Sequence, residues 1–247
     1  MFHINTDHAG LFPPYSVTMF TAFVLGIGLL YLLNRKDGIP KNIAGLLVLL
    51  SPVMILTCAA GTGYLMSHGQ TVGLSSMGAL FGMYLSVIIM TLICGNRGHA
   101  RLMLQNCTLV LPLMYAVSKF GCFLAGCCRG VDYDGIFCVR YSGAENGGVT
   151  AFPVQLTEFL TFLVIFAVGM LLRRRHRSSS VRSVFLLSAL AKGLLDFLRA
   201  EHQGRLVTVN QILCAVLICI CLAWMLLDRR CRSSQKNGCF HSHNIGG

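Results

Sequence analysis

Seven apolar stretches divide this chain, most of them close to the roughly 20 helical residues that cross about 30 Å of hydrocarbon. They are Tyr15–Leu33, Ile43–Met66, Met77–Cys94, Thr108–Gly126, Val154–Leu172, Val184–Leu198 and Val207–Leu227. The first is stopped by Asn34, Arg35, Lys36 and Asp37, the fifth by Arg173, Arg174 and Arg175, and the last by Asp228, Arg229 and Arg230. The sixth is short and spotted with polar groups. Pro52 and Pro112 fall inside the second and fourth, which membrane helices tolerate. Runs of this kind exclude disorder. With only 12% charged residues, the chain also lacks the charge that a soluble domain's surface needs. The expected fold is all-α, a polytopic membrane protein of seven transmembrane helices. The expected divisions are an outer tail at 1–14, a membrane domain at 15–227 with a long outer loop at 127–151, and a cytoplasmic tail at 228–247.

Charge sets the expected orientation. Lys and Arg number 20 against 9 acidic residues. Fourteen of the basic residues fall in the loops after spans one, three and five and in the C-terminal tail, among them Arg35, Arg101, Arg173 and Arg229. Basic loops stay cytoplasmic, so the N-terminus is expected outside and the C-terminus inside. The charge excess is therefore mostly topology. Short basic loops without interleaved aromatics favour anionic headgroups over nucleic acid. The first 14 residues carry Asp7 and no Lys or Arg, so no cleavable signal peptide is expected.

The other six basic residues are Lys119, Arg129, Arg140, Lys192, Arg199 and Arg205. A charge at the bilayer centre costs about 2.5–3.5 kcal/mol on insertion scales, so each needs a reason. Lys192, Asp196 and Arg199 share one helical face by spacing. Either Lys192 pairs with Asp196 while Arg199 snorkels to the outer surface, or the three form a cationic stripe facing a lipid headgroup pocket. Lys119 lies one turn before Cys122 on span four, and Gln155 and Glu158 lie one turn apart at the start of span five. Three spans that each place polar groups near the outer leaflet point to one shared pocket. Glu158 and Gln155 also suit plain capping of a helix start.

Cys122, Cys127 and Cys128 fall within seven residues, with Cys138 beyond them. Zinc sites favour paired C-x₂₋₄-C spacings. Here one pair is adjacent and no histidine is near in sequence, so no metal ligand and no cofactor is assigned. Packing as small apolar residues or a disulfide in an oxidising outer compartment are the competing readings. Cys239, His241 and His243 are read as an incidental cluster.

Three segments in order resemble a known family. Gly73-Leu74-Ser75-Ser76-Met77-Gly78-Ala79 is similar to G-[LM]-S-x-H-G-G. Lys119 to Gly130, KFGCFLAGCCRG, resembles R-x-G-N-F-x-N-G-E-x-x-G. Phe152 to Glu158, FPVQLTE, is similar to H-P-x-Q-L-Y-E. A weaker match sets Lys192–Arg199 against R-x-x-x-E-F-x-R, and Tyr15 fits the Tyr that opens the first span. These are motifs of prolipoprotein diacylglyceryl transferase, a seven-helix enzyme of bacterial lipoprotein maturation. The departures are specific. Lys119 and Lys192 replace arginines, Cys122 and Ala125 replace asparagines, Cys127 replaces a glutamate, and Met77 and Phe152 replace histidines. The chain resembles a Cys-rich branch.

The resemblance implies transfer of diacylglyceryl from phosphatidylglycerol to the lipobox cysteine thiol of a prolipoprotein, in the bacterial cytoplasmic membrane, with release of glycerol-1-phosphate. Lys119 and Lys192 are the expected catalytic residues. They hold the phosphate, and one of them takes the thiol proton in place of the missing histidine. Arg199, Arg129, Gln155, Glu158, Tyr15, Gly126 and Gly130 complete the expected substrate site. A direct transfer needs no covalent enzyme intermediate, although Cys127 or Cys128 offers a nucleophile for one. Two other classes compete: an inactive relative that binds phospholipid headgroups, and a lipid or small-molecule transporter. Against the transporter, no paired inverted halves are visible.

The orientation is testable by reporter fusions. A fluorescent protein fused after Gly247 should glow, and alkaline phosphatase inserted within 143–148 should be active. The reverse pattern overturns the assignment.

Overall fold

Backbone groups in hydrocarbon must be satisfied within their own segment, and each apolar run of this chain is built mainly of helix among the described residues. The computed structural model describes residues 2–5, 13–70, 73–95, 97–142, 149–175, 177–200, 207–223 and 225. The helices are α1 (Pro14–Lys36), α2 (Lys41–Met66), α3 (Ser76–Cys94), α4 (Arg97–Ala125), α5 (Val154–Arg175), α6 (Arg177–Leu195) and α7 (Val209–Ala223). A 3₁₀ turn, Asp196–Leu198, follows α6. Seven helices thus appear in the expected order among the described residues. Five of them, α1 to α5, are long and apolar enough to cross a membrane. Their outward faces expose Phe20, Leu49, Leu92, Ile93 and Leu171, a surface suited to lipid rather than water.

The expected boundaries shift most at α4 and α6. Helix α4 starts at Arg97 rather than Thr108, so Arg101 rides on a helix instead of a loop. Its 29 residues reach about 43 Å at 1.5 Å per residue, beyond the hydrocarbon thickness. Helix α6 begins at Arg177, seven residues before the apolar run. In both, a buried polar residue of the extension has a partner inside the protein; on α6, Ser180 donates to Gly169 O at 2.6 Å. Asn106 on α4 is fully buried and donates to Asn34 at 2.8 Å and to Asp37 at 2.7 Å. Asp37 also accepts two contacts of 2.8 Å from Arg173 at the end of α5. Arg173 was read as an orientation charge; it also ties α5 to the α1–α2 turn.

Helix α4 is the hub, packing against α1, α3, α5 and α6, while α2 packs mainly on α3. The α2–α3 contact is backbone-close. A Cβ on Gly82 would meet the Met54 carbonyl oxygen at 2.2 Å, and one on Gly78 would meet that of Cys58 at 2.3 Å. Small residues four apart permit such an approach in membranes. Leu47, Met83, Val87, Met103 and Val110 fill the core that these helices enclose.

The helical body carries one addition to the all-α expectation. Strand β1 (Phe2–Asn5) pairs parallel with β2 (Val139–Ser142), which pairs antiparallel with β3 (Thr150–Ala151). The expected N-terminal tail and outer loop are therefore joined. Val139, Tyr141 and Ala151 point inward onto Ile4 and Phe123, so this small sheet caps the end of α4. Strands of two to four residues leave too short an alternation to read from sequence. The tail at 228–247, with Cys239, His241 and His243, lies outside the described residues.

Gly82→Val forces side-chain atoms into the α2 backbone. Overpacking of this kind costs about 1–3 kcal/mol, so the thermal midpoint in detergent should fall by several degrees. An unchanged midpoint contradicts the packing.

Candidate functional site

Glu158 sits one turn into α5 and is almost wholly buried, at 1% exposure. A lone carboxylate there is prohibitive, and the fold surrounds it with donors. Lys119 Nζ on α4 lies 3.1 Å from Oε2. The Arg199 guanidinium reaches both oxygens, at 2.9 and 3.2 Å. The Tyr115 hydroxyl donates to Oε1 at 2.8 Å. Tyr115 in turn accepts from Lys192 Nζ at 3.0 Å. Both lysine ammonium groups lie over its ring, 5.2 and 4.7 Å from the centroid, a favourable cation–π arrangement. One carboxylate and one phenol thus gather three cations from α4, α6 and the segment after α6.

The expected pairing of Lys192 with Asp196 gives way to the Lys192–Tyr115 hydrogen bond. Helix α6 ends at Leu195, and Arg199 is extended at φ −87° and ψ 144°. That break ends the i, i+4 registry. Asp196 accepts from the Thr208 hydroxyl and approaches Arg199 Nε at only 3.6 Å. Arg199 does not snorkel to the surface; it is 7% exposed and turned inward onto Glu158. Its segment is pinned by the loop after α4: Val131 N–H donates to Leu198 O at 3.0 Å and Ala200 N–H to Arg129 O at 3.2 Å.

A cavity of about 420 Å³ opens on this cluster, within the usual range for ligand sites. Lys119, Lys192, Arg199, Tyr115 and Tyr15 line it, with apolar walls from α1, α2, α3 and α7. Met77 also lines it, where the resemblance leads one to expect a histidine. The three thiols of Cys122, Cys127 and Cys128 face the same cavity, and their sulfurs all lie within 4.8 Å of one another. Two left-handed residues, Gly126 at φ 70° and Cys128 at φ 53°, fold the chain back after α4 to achieve this. Hydrogen bonding from Cys122 and then Cys127 pulls the Cys128 thiol well below its ordinary range, with Lys119 and Arg199 acting the same way. Cys138 is buried elsewhere.

A sequence profile described as prolipoprotein diacylglyceryl transferase matches residues 12–227. The chain belongs to the prolipoprotein diacylglyceryl transferase family. No curated protein matches it. This is a family of membrane-embedded transferases that use lipid and prolipoprotein substrates, so the chain is a multi-pass membrane protein.

Against this family's motifs, the positions of the expected site residues divide into two groups. Lys119, Lys192, Arg199 and Tyr15 face the cavity. Glu158, Gln155, Arg129, Gly126 and Gly130 do not line it. Glu158 stands behind the cations. Gln155 donates to Cys127 O at 2.7 Å and accepts from Tyr141 at 3.3 Å, so both ends of its amide are occupied in holding the cysteine loop. Burial pushes the Tyr141 phenol up to about 12, which keeps it a donor. Gly130 threads a gap where a Cβ would lie 2.3 Å from Phe152 O. Arg129 contributes its carbonyl. The residue not anticipated is Tyr115. It lies four before Lys119 on the same helix, and that i, i+4 spacing was the available signal.

Removing one partner of a buried ion cluster costs about 3–5 kcal/mol. Glu158→Gln should therefore lower the thermal midpoint sharply, and adding Lys119→Met should restore part of the loss. Equal midpoints for wild type and Glu158→Gln overturn the anchoring role.

Proposed function

We propose that the protein transfers the diacylglyceryl group of phosphatidylglycerol to the lipobox cysteine thiol of prolipoproteins. The product is a thioether and glycerol-1-phosphate is released. The proposed setting is a bacterial cytoplasmic membrane crossed seven times, with the N-terminus outside. The observation that carries this reading is the convergence of Lys119, Lys192 and Arg199 on one cavity in a chain of this family.

The chemistry needs a cationic cradle for a phosphate that gains charge as it leaves. Lys119 and Arg199 serve this purpose. Glu158 keeps both in place, and Arg199 Nε retains a donor that meets Asp196 only at 3.6 Å. The reaction also needs a base for the acceptor thiol, because the thiolate is the nucleophile. Lys119 is engaged by the Glu158 carboxylate at 3.1 Å, which suits it to the phosphate rather than to the thiol. Among the described residues Lys192 has a phenol partner and no carboxylate. We therefore assign it the proton. Lysine suits this role where arginine does not, since arginine stays protonated. Tyr15 and the apolar walls position the glycerol and acyl ends.

Incubating the protein in lipid nanodiscs with labelled phosphatidylglycerol and a lipobox peptide tests the assignment. Label should appear on the peptide thiol. Lys192→Arg should cut kcat by about 10²–10⁴-fold, the usual value of a general base, with lipid KM little changed. Lys119→Met should raise KM for the lipid. Lipid binding without transfer identifies an inactive relative, and vectorial uptake without a covalent product identifies a transporter.

A further inference from the structure

The cations account for the phosphate, but three thiols remain on the cavity wall with no part in that chemistry. They come from two places, the last turn of α4 (Cys122) and the loop beyond it (Cys127 and Cys128). Their convergence needs a non-glycine residue at φ 53°, a conformation that L side chains seldom adopt. Gln155 grips the loop through the Cys127 carbonyl at 2.7 Å. The arrangement is therefore held from outside rather than left loose. Cys122 is buried, whereas Cys127 and Cys128 are exposed, so the cluster has a closed base and an open side.

Zinc is tetrahedral, binds thiolates at about 2.3 Å, and in catalytic sites takes three protein ligands and leaves the fourth position to substrate. Tetrahedral geometry at that bond length sets sulfurs about 3.8 Å apart. The present separations, up to 4.8 Å, close to that by small side-chain rotations. Softer cations also favour thiolates, but the acceptor of the proposed reaction is itself a thiol. A thiol that coordinates zinc is deprotonated. No histidine lines the cavity among the described residues.

We propose that Cys122, Cys127 and Cys128 hold one zinc ion whose open position binds and activates the acceptor thiol. This rests on the transferase reading and specifies how its nucleophile is made. The acceptor thiol coordinates the metal and its proton passes to Lys192. The sulfur electron pair then forms the S–C bond to the diacylglyceryl carbon. The C–O bond to phosphate breaks, its electron pair goes to the phosphate oxygen, and glycerol phosphate leaves against Lys119 and Arg199. Lys119 and Arg199, joined by Lys192 once it holds the proton, also balance the negative charge of a zinc bearing first three and then four thiolates.

The test uses full-length protein in nanodiscs, purified without chelator, with metal content read by mass spectrometry. About one zinc per chain is expected. Cys127→Ala and Cys128→Ala should each lose most of it; both lie in the loop, so the test survives if Cys122→Ala fails to fold. Cys138→Ala and His241→Ala should keep the metal. In cobalt-substituted protein, a lipobox peptide should raise the thiolate charge-transfer absorbance by about a third, as three thiolates become four. The matching serine peptide should leave it unchanged. Absence of metal, metal retained after loss of Cys127 and Cys128, a disulfide among the three, or bound Cu(I) in place of zinc overturns the site. A cobalt spectrum indifferent to the peptide thiol overturns the activating role. Full transfer by metal-free protein overturns this inference and leaves the transferase reading intact. A spectrum that responds to the peptide, with no lipid transfer, does the reverse.

Discussion

A carboxylate held in the low-dielectric interior of a helical bundle is the constraint on which the rest of this site depends. Glu158 is buried to 1% exposure, and burial of that kind is tolerable only with opposite charge and full hydrogen bonding. Lys119, Arg199 and Tyr115 meet that need. In doing so they are brought from separate parts of the chain to one wall of a cavity. The cations face the cavity because the anion stands behind them. In the proposed function, a phosphate arriving there would meet donors already oriented, which leaves little reorganisation for the moment of reaction.

The bundle is tied at two levels along α4. One is the Glu158 cluster at Tyr115 and Lys119; the other is the knot of Asn106, Asn34, Asp37 and Arg173. They are separated by 9 to 13 residues, about 14–20 Å along a helix. Both knots link α4 to α5, and the lower one adds the α1–α2 turn. Between them the core is mostly apolar, crossed by a Tyr84–Thr108 hydrogen bond of 2.9 Å from α3 to α4, and close α2–α3 packing adds to the hold. The cavity lies at the fastener with surplus positive charge, which is what a headgroup pocket needs. The other fastener has its aspartate doubly engaged by Arg173.

The replacements that separate this chain from its family's motifs also fall into a pattern. The two lysines stand at arginine positions and keep a basic group there without arginine's bidentate fork. Met77 and Phe152 remove imidazoles, and Cys122 and Cys127 introduce thiols where amide and carboxylate side chains are expected. Lys119, Lys192, Met77, Cys122 and Cys127 all line one cavity, so most of the changes meet at a single place in the fold.

Helix order, the membrane setting and the family were all legible in the residues. Hydropathy over 20 residues and the sign of flanking charge are local properties that need no neighbours to evaluate. The grouping of Lys119, Lys192 and Arg199 was also readable, because intramembrane charges are few and each demands a reason. Partner choice was not. Spacing placed Asp196 beside Lys192, yet the helix breaks at Leu195 and sends Asp196 to Thr208 and Arg199 to Glu158. Gln155 and Glu158 share a helix face, but one supports the cysteine loop and the other the cations. The sequence by itself determined an all-helical membrane protein of a transferase family, with basic groups near one pocket. Only the tertiary structure decided that the carboxylate stands behind the cations rather than on the cavity wall, that Tyr115 joins the lysines, and that three thiols meet. Each of these depends on contacts across distant segments, and a left-handed turn or a broken helix re-aims side chains in ways that linear spacing does not encode.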